Sequence, residues 1–213
     1  MSDIFREIEE ELRRDNFFKL WQRYGKYVIA LAVIAVVATA LAVGWRQYRV
    51  RASQAEGVRY AAALDLLTQG KAKDAAAAFA AMGATATGSR AMLIKFEQAS
   101  IKAKANDFAG ATALYDQIAS NSDNARIYRD LANLLVGDLA ITTDPKAAVA
   151  RLKPLTDASN PWHYSARELT AVADMGLGDV ASARKIYRQL ADDLAAPRGL
   201  RARATEMTAA LAP

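Results

Sequence analysis

His163 is the only histidine of the chain, set in NPWHYSA at 160–166, and no cysteine is present. An imidazole can act as a general base or a metal ligand, but either task needs a second group: a nucleophile, or two or three further ligands. Trp162 and Tyr164 flank it, and neither is a metal ligand of choice. The expected role is a packed side chain at a helix start, with Ser159 or Asn160 capping the helix after Pro161. Asp192 and Asp193 are neighbours in sequence, so a helix points them to different faces and they form no acid–base couple. GLGD at 176–179 has two of the glycines of a dinucleotide loop but neither the third nor a preceding strand. No phosphate-loop run and no His-Glu-x-x-His is present. Phe79, Tyr115 and Tyr187 could form an aromatic box, but their spacing suits a packed core better. The sequence therefore predicts no cofactor, no metal and no catalysis. The lack of cysteine removes disulfides and thiol chemistry without fixing the compartment.

The elements holding these residues repeat. NDFAGATALY at 106–115 and GDVASARKIY at 178–187 share one plan: a turn residue, Asp, an apolar residue, Ala at the sixth position and Tyr at the tenth. Extending it places a small residue at Ala75, Ala111, Ala148 and Ala183, at intervals of 36, 37 and 35. A large residue follows at Phe79, Tyr115, Leu152 and Tyr187, and an apolar one at Met82, Ile118, Leu155 and Leu190. The offsets of four and seven describe one face of a helix, where the small residue lets a neighbour approach and the large one fills the adjoining space. Other helical stretches lie between: 58–67, 91–103, 127–140 and 164–175. Each period reads as helix, turn, helix, and such a pair buries its apolar stripe only by stacking on the next. GLRARATEMTAAL at 199–211 is predicted to close the stack with a polar outer face.

VIALAVIAVVATALAVG at 28–44 has no charge, amide or proline, and nine of its 17 residues are Val, Ile or Leu. With Tyr27 and Trp45 it forms about 28 Å of helix, close to the hydrocarbon thickness of a bilayer. Tyr24, Tyr27, Trp45 and Tyr48 mark the two ends, where aromatic rings favour the interface, and Lys26 and Arg46 can reach outward. Two readings compete: a buried core helix, which is rarely apolar all round at this length, and a cleaved signal peptide with ATALA at 38–42 as the cleavage region. A 26-residue leader carrying Glu9, Glu10 and Glu11, however, suits an anchor better. Five Lys or Arg precede the span within 20 residues and four follow it, so charge bias barely orients it. Ile4, Ile8 and Leu12 give the tail an apolar face after a cap at Ser2 or Asp3, and Asp15 or Asn16 is placed to open a second helix. That face can lie on a membrane or on a partner. The net charge of +5 arises beyond residue 45, in RQYRVR at 46–51 and in 184–203. Such strips suit solvent, anionic lipid or an acidic partner; without interleaved stacking aromatics they do not suggest nucleic acid.

The run turn-Asp-apolar-x-x-Ala-x-x-x-Tyr-x-x-apolar resembles the second half of the tetratricopeptide repeat. Asn106, Asp107, Phe108, Ala111 and Tyr115 match it best, then Gly178, Asp179, Val180, Ala183 and Tyr187. Leu152 in place of an aromatic and the turn at 70–75 depart from it, as do the first helices. The layout as a whole resembles the ancillary subunit family of the bacterial SecYEG translocon: a charged tail, RYGKYVIA into the span, GWRQY at its exit, then the repeats. Gly25 with Lys26, and Gly44, Trp45 and Arg46 with Tyr48, carry that likeness. It implies a single-pass inner-membrane protein with its N-terminus cytoplasmic and residues 47–213 in the periplasm, after a tail at 1–26 and a span at 27–46. It also implies translocon subunits and a membrane-anchored prolyl-isomerase-type chaperone as partners. The expectation is an all-α protein: a transmembrane helix followed by a solenoid of about four helix pairs that grips other polypeptides at the translocon exit. Ala40 and Gly44 offer the span a close-packing face. An envelope scaffold for division or stress-signalling proteins, or a processed periplasmic protein, are the alternatives.

Overall fold

The computed structural model describes the backbone of residues 2–212 and the side chains of 21–27 and 29–212. Among the described residues the chain is helical, without a strand: α1 Ser2–Thr68, α2 Ala72–Gly83, α3 Gly88–Lys104, α4 Phe108–Ser120, α5 Arg126–Ala140, α6 Pro145–Leu152, α7 His163–Gly176, α8 Val180–Asp192 and α9 Arg198–Ala210. Its contacts divide the chain between Ala61 and Ala62 into two units.

In the second unit each helix from α2 onward packs on the next in sequence, and α5 also touches α7. The cores overlap accordingly. Met92 and Ala99 of α3, Ala111, Tyr115 and Ile118 of α4, and Ala132 and Val136 of α5 form one cluster. Leu134, Leu152, Leu155 and Ala166 form a second, from α5 to α7. A third runs through Ala171, Ala183, Tyr187, Leu190, Leu200 and Ala204, from α7 to α9. Because α5 and α7 each serve two clusters, the cores join into one continuous layer, as stacked helix pairs require. α1/α2, α3/α4, α5/α6 and α7/α8 are the pairs by chain order, and α9 ends the stack.

The turns explain the repeated motif. Asn106 takes φ 62°, and Gly70 and Gly178 take φ 74° and 79°, the left-handed conformation that ends a helix. After each, the amide of the next residue reaches back five positions: Lys71 to Leu66, Asp107 to Lys102 and Asp179 to Asp174. Asp107 and Asp179 then cap the following helix, accepting from Gly110 N at 2.9 Å and Ser182 N at 3.0 Å. One aspartate thus closes one helix and opens the next. Asp144 caps α6 through Ala147 N at 2.9 Å, but its turn has no residue of positive φ. In the first pair Lys71 holds the cap position with no side-chain bond, and Asp74 lies inside the helix. α6 is short because Pro154 cannot continue it; residues 153–155 tighten into a 3-10 turn that still buries Leu155.

These caps are pH-dependent. The Lys102 ammonium, bonded at 2.7 Å, and then the Gly110 amide hold the Asp107 carboxyl below its ordinary value of 3.8. The Ser182 amide does the same for Asp179. A carboxylate with a depressed native pKa adds stability above its unfolded pKa, and loses it as pH falls through the native value. The double variant Asp107→Asn/Asp179→Asn keeps an acceptor at each cap and loses the charge. Its melting temperature is expected to fall less than that of the unaltered chain between neutral and strongly acidic pH; equal falls would refute the role of the two carboxylates.

Two expectations are corrected. The helix does not restart at Asp15 or Asn16, and 58–67 is no separate helix: α1 is helical without a break from Ser2 to Thr68. No proline lies in this range, and Gly44 and Gly57 by themselves do not stop a helix. The Ile4, Ile8 and Leu12 face lies outside the described side chains.

Candidate interaction surface

His163 sits at the start of α7 and contacts backbone, not a catalytic partner. Its Nδ1 lies 2.6 Å from the Asn160 carbonyl oxygen, and its ring centroid is 3.8 Å from that of Tyr164. Neither Ser159 nor Asn160 caps α7; the cap position is Trp162, with no side-chain bond. Asn160 instead turns inward, only 3% exposed. Its Oδ1 accepts from the Trp162 amide at 2.9 Å, and its Nδ2 donates to Asp130 Oδ2 at 2.9 Å. Burying an amide is tolerable when both ends are bonded, so Asn160 fastens this turn to α5. Among the described residues, no group of three or more His, Cys, Asp or Glu could hold a metal. Asp193 is engaged in structure, accepting from the Ala195 amide at 2.9 Å and the Tyr164 hydroxyl at 3.1 Å.

Ala75, Phe79, Ala111, Ala148, Leu152 and Ala183 are fully buried, and Tyr115 and Tyr187 nearly so. Burial raises the Tyr115 hydroxyl pKa, with the Glu97 and Asp138 charges adding to it; burial and then Glu168 do the same at Tyr187. Both rings are core groups with the phenol kept neutral. The Phe96 ring packs on Tyr115, centroids 5.9 Å apart.

Polar contacts absent from the sequence reading link neighbouring pairs. Arg151 pairs with Asp116, 35 residues earlier. The Trp162 Nε1 donates to the Ile127 carbonyl, also 35 residues earlier, at 2.9 Å. Arg203 grips Glu168 with two bonds of 2.8 and 2.9 Å, at the same separation. The separation equals the repeat length because stacked pairs bring like positions side by side. Opposite charges one period apart were the signal that could have found two of these. Leu93 on α3 and Tyr128 on α5 stay exposed, leaving apolar and aromatic surface on first helices of adjacent pairs.

In the first unit α1 carries the uncharged stretch 28–44. Its most apolar 18-residue window has mean hydropathy 2.6 and none of it is buried, so the helix is long and apolar enough to cross a membrane. Tyr24, Tyr27, Trp45 and Tyr48 are exposed near the two ends of the apolar stretch. Ala40 and Gly44 lie along one shallow groove with Ala35 and Thr39, and a methyl group at Gly44 would meet nothing within 4 Å.

The family profile described as tetratricopeptide repeat-like domain matches residues 19–208. Searches of curated proteins and of solved structures find no match.

Proposed function

The chain belongs to the tetratricopeptide repeat-like domain family, and on that premise we propose that it is a membrane-tethered protein-interaction subunit working beside the Sec translocon. Residues 27–46 cross the inner membrane once, 1–26 form a cytoplasmic tail, and 47–213 stand in the periplasm. The observation that carries the tether is the exposed apolar face of α1, where Leu31, Val36 and Leu41 are each more than 60% exposed. In water such a surface is costly on every side, whereas lipid accepts it. The repeat unit buries the inner faces of its helices in its own core and leaves exposed side chains such as Leu93 and Tyr128 on first helices to meet partners. Work of this kind is non-covalent: the stack offers an extended surface for a peptide or a partner's helix. Tethering raises the local concentration of partners near the exit, so a modest intrinsic affinity suffices. Ala40 and Gly44 would let a partner's helix approach the span.

A photo-crosslinker placed at Leu93 or Tyr128 of the full chain in native membranes tests this reading. Translocon subunits or the prolyl-isomerase-type chaperone are expected among the adducts. Division or stress-signalling proteins in their place would move the protein to another envelope assembly. Protease added to spheroplasts is expected to digest the 47–213 region, and protection there would reverse the orientation.

A further inference from the structure

Between Asn16 and Ala55 the chain has six bases and no acid: Lys19, Arg23 and Lys26 before the apolar stretch, and Arg46, Arg49 and Arg51 after it. The two ends differ in how the cations are held. Arg23 lies 5.8 Å from the Tyr24 ring centroid and Lys26 5.2 Å from that of Tyr27. At the other end the aromatics pair with each other, Trp45 and Tyr48 at 6.2 Å. Arg46 and Arg49 are exposed and have no ion-pair partner among the described residues. They share a surface groove with Ala42, Trp45, Ser53 and Gln54. At about 100° per residue, Ala42, Arg46, Arg49 and Ser53 fall on one face of the helix, and Arg51 on the opposite one.

We infer that Arg46, Arg49 and Ser53 form a head-group site for an anionic phospholipid, at the end of the span that leads into the repeat domain. The inference rests on the membrane reading given above. Ala42, one turn before Arg46, still belongs to the apolar stretch, and Trp45 marks the interface, so the two guanidinium groups stand at head-group depth. Guanidinium groups one turn apart match a phosphodiester with two or more charge-assisted bonds. The Ser53 hydroxyl extends the donor row toward the glycerol end of the head group. A zwitterionic lipid would bring its own cation against the two arginines, so the site selects a net negative head group.

The test uses the full chain in nanodiscs of equimolar phosphatidylglycerol and phosphatidylcholine, with retained lipids counted by native mass spectrometry. Phosphatidylglycerol is expected to be enriched on the unaltered chain. Arg46→Gln and Arg49→Gln are each expected to lower that enrichment about fivefold, while Arg51→Gln changes it little. Gln keeps helix propensity, so the variants leave α1 helical. Equal losses for all three arginines would mean diffuse charge attraction and would overturn the site, as would no enrichment on the unaltered chain. An alkaline carbonate wash of native membranes separates the two ideas. Release of the chain would sink the membrane reading, whereas retention without lipid enrichment would sink the head-group site alone.

Discussion

Phe79→Ala is expected to destabilise the first helix pair by about 3–5 kcal/mol, the loss typical of a buried phenyl ring. Phe79 is fully buried and is the bulkiest of the fully buried side chains among the described residues. It stands on α2, whose start lacks the aspartate cap that α4, α6 and α8 possess. The helix therefore depends on packing more than its counterparts do. In a stack with nearest-neighbour coupling, damage near one end frays that end first. Hydrogen exchange on the variant should show the α2 amides opening, with α7 to α9 nearly unchanged. Phe79→Leu preserves most of the volume and should cost well under half as much. Uniform loss of protection through all helices would contradict the layered core and favour a single cooperative unit.

What the sequence made legible was whatever repeats. The Ala and large-residue columns, the turns before them and the aspartates in NDF and GDV recur because each helix pair solves the same packing problem. The sequence marks Asp107 and Asp179 as turn residues; the structure adds that each one closes one helix and opens the next. Features that occur once were harder to read. Ser, Asn and Pro before a helix usually form a cap, which points to Asn160 in that role, whereas its long-range bond to Asp130 leaves no local trace. The repeat period sets 58–67 apart from the span, but apolar and amphipathic stretches differ in partners and not in backbone, and no proline lies between them. The links Asp116–Arg151 and Glu168–Arg203 needed the period to be applied to charged residues as well as apolar ones. For the interaction surface little was legible, because exposed residues such as Leu93 and Tyr128 obey no packing rule that sequence spacing reveals.

Gly137 shows how the third pair accommodates its departure from the pattern, and it supports a sharp test. An added Cβ there would lie 2.6 Å from Leu152 Cδ2 and 2.7 Å from its Cγ, closer than real carbon atoms approach. Leu152 is fully buried and has no solvent to retreat into. Alanine is the better helix former by about 1 kcal/mol, so propensity alone predicts that Gly137→Ala stabilises α5. The overlap acts the other way, at about 1–3 kcal/mol for an overpacked core, and the net effect is expected to be a loss. Gly137→Val adds two more carbons and should cost about 3 kcal/mol. Leu152→Ala alone removes the side chain from its site and should cost about 2–5 kcal/mol. Combined with Gly137→Ala, that loss should shrink, because the new methyl group occupies part of the vacated space and the clash has gone. A coupling of about 0.5–3 kcal/mol by denaturant unfolding is the expected result. Additive single effects within about 0.5 kcal/mol would mean that the two residues do not share a contact, and the account of Leu152 as the third large residue, seated on a glycine in place of an aromatic ring, would fail.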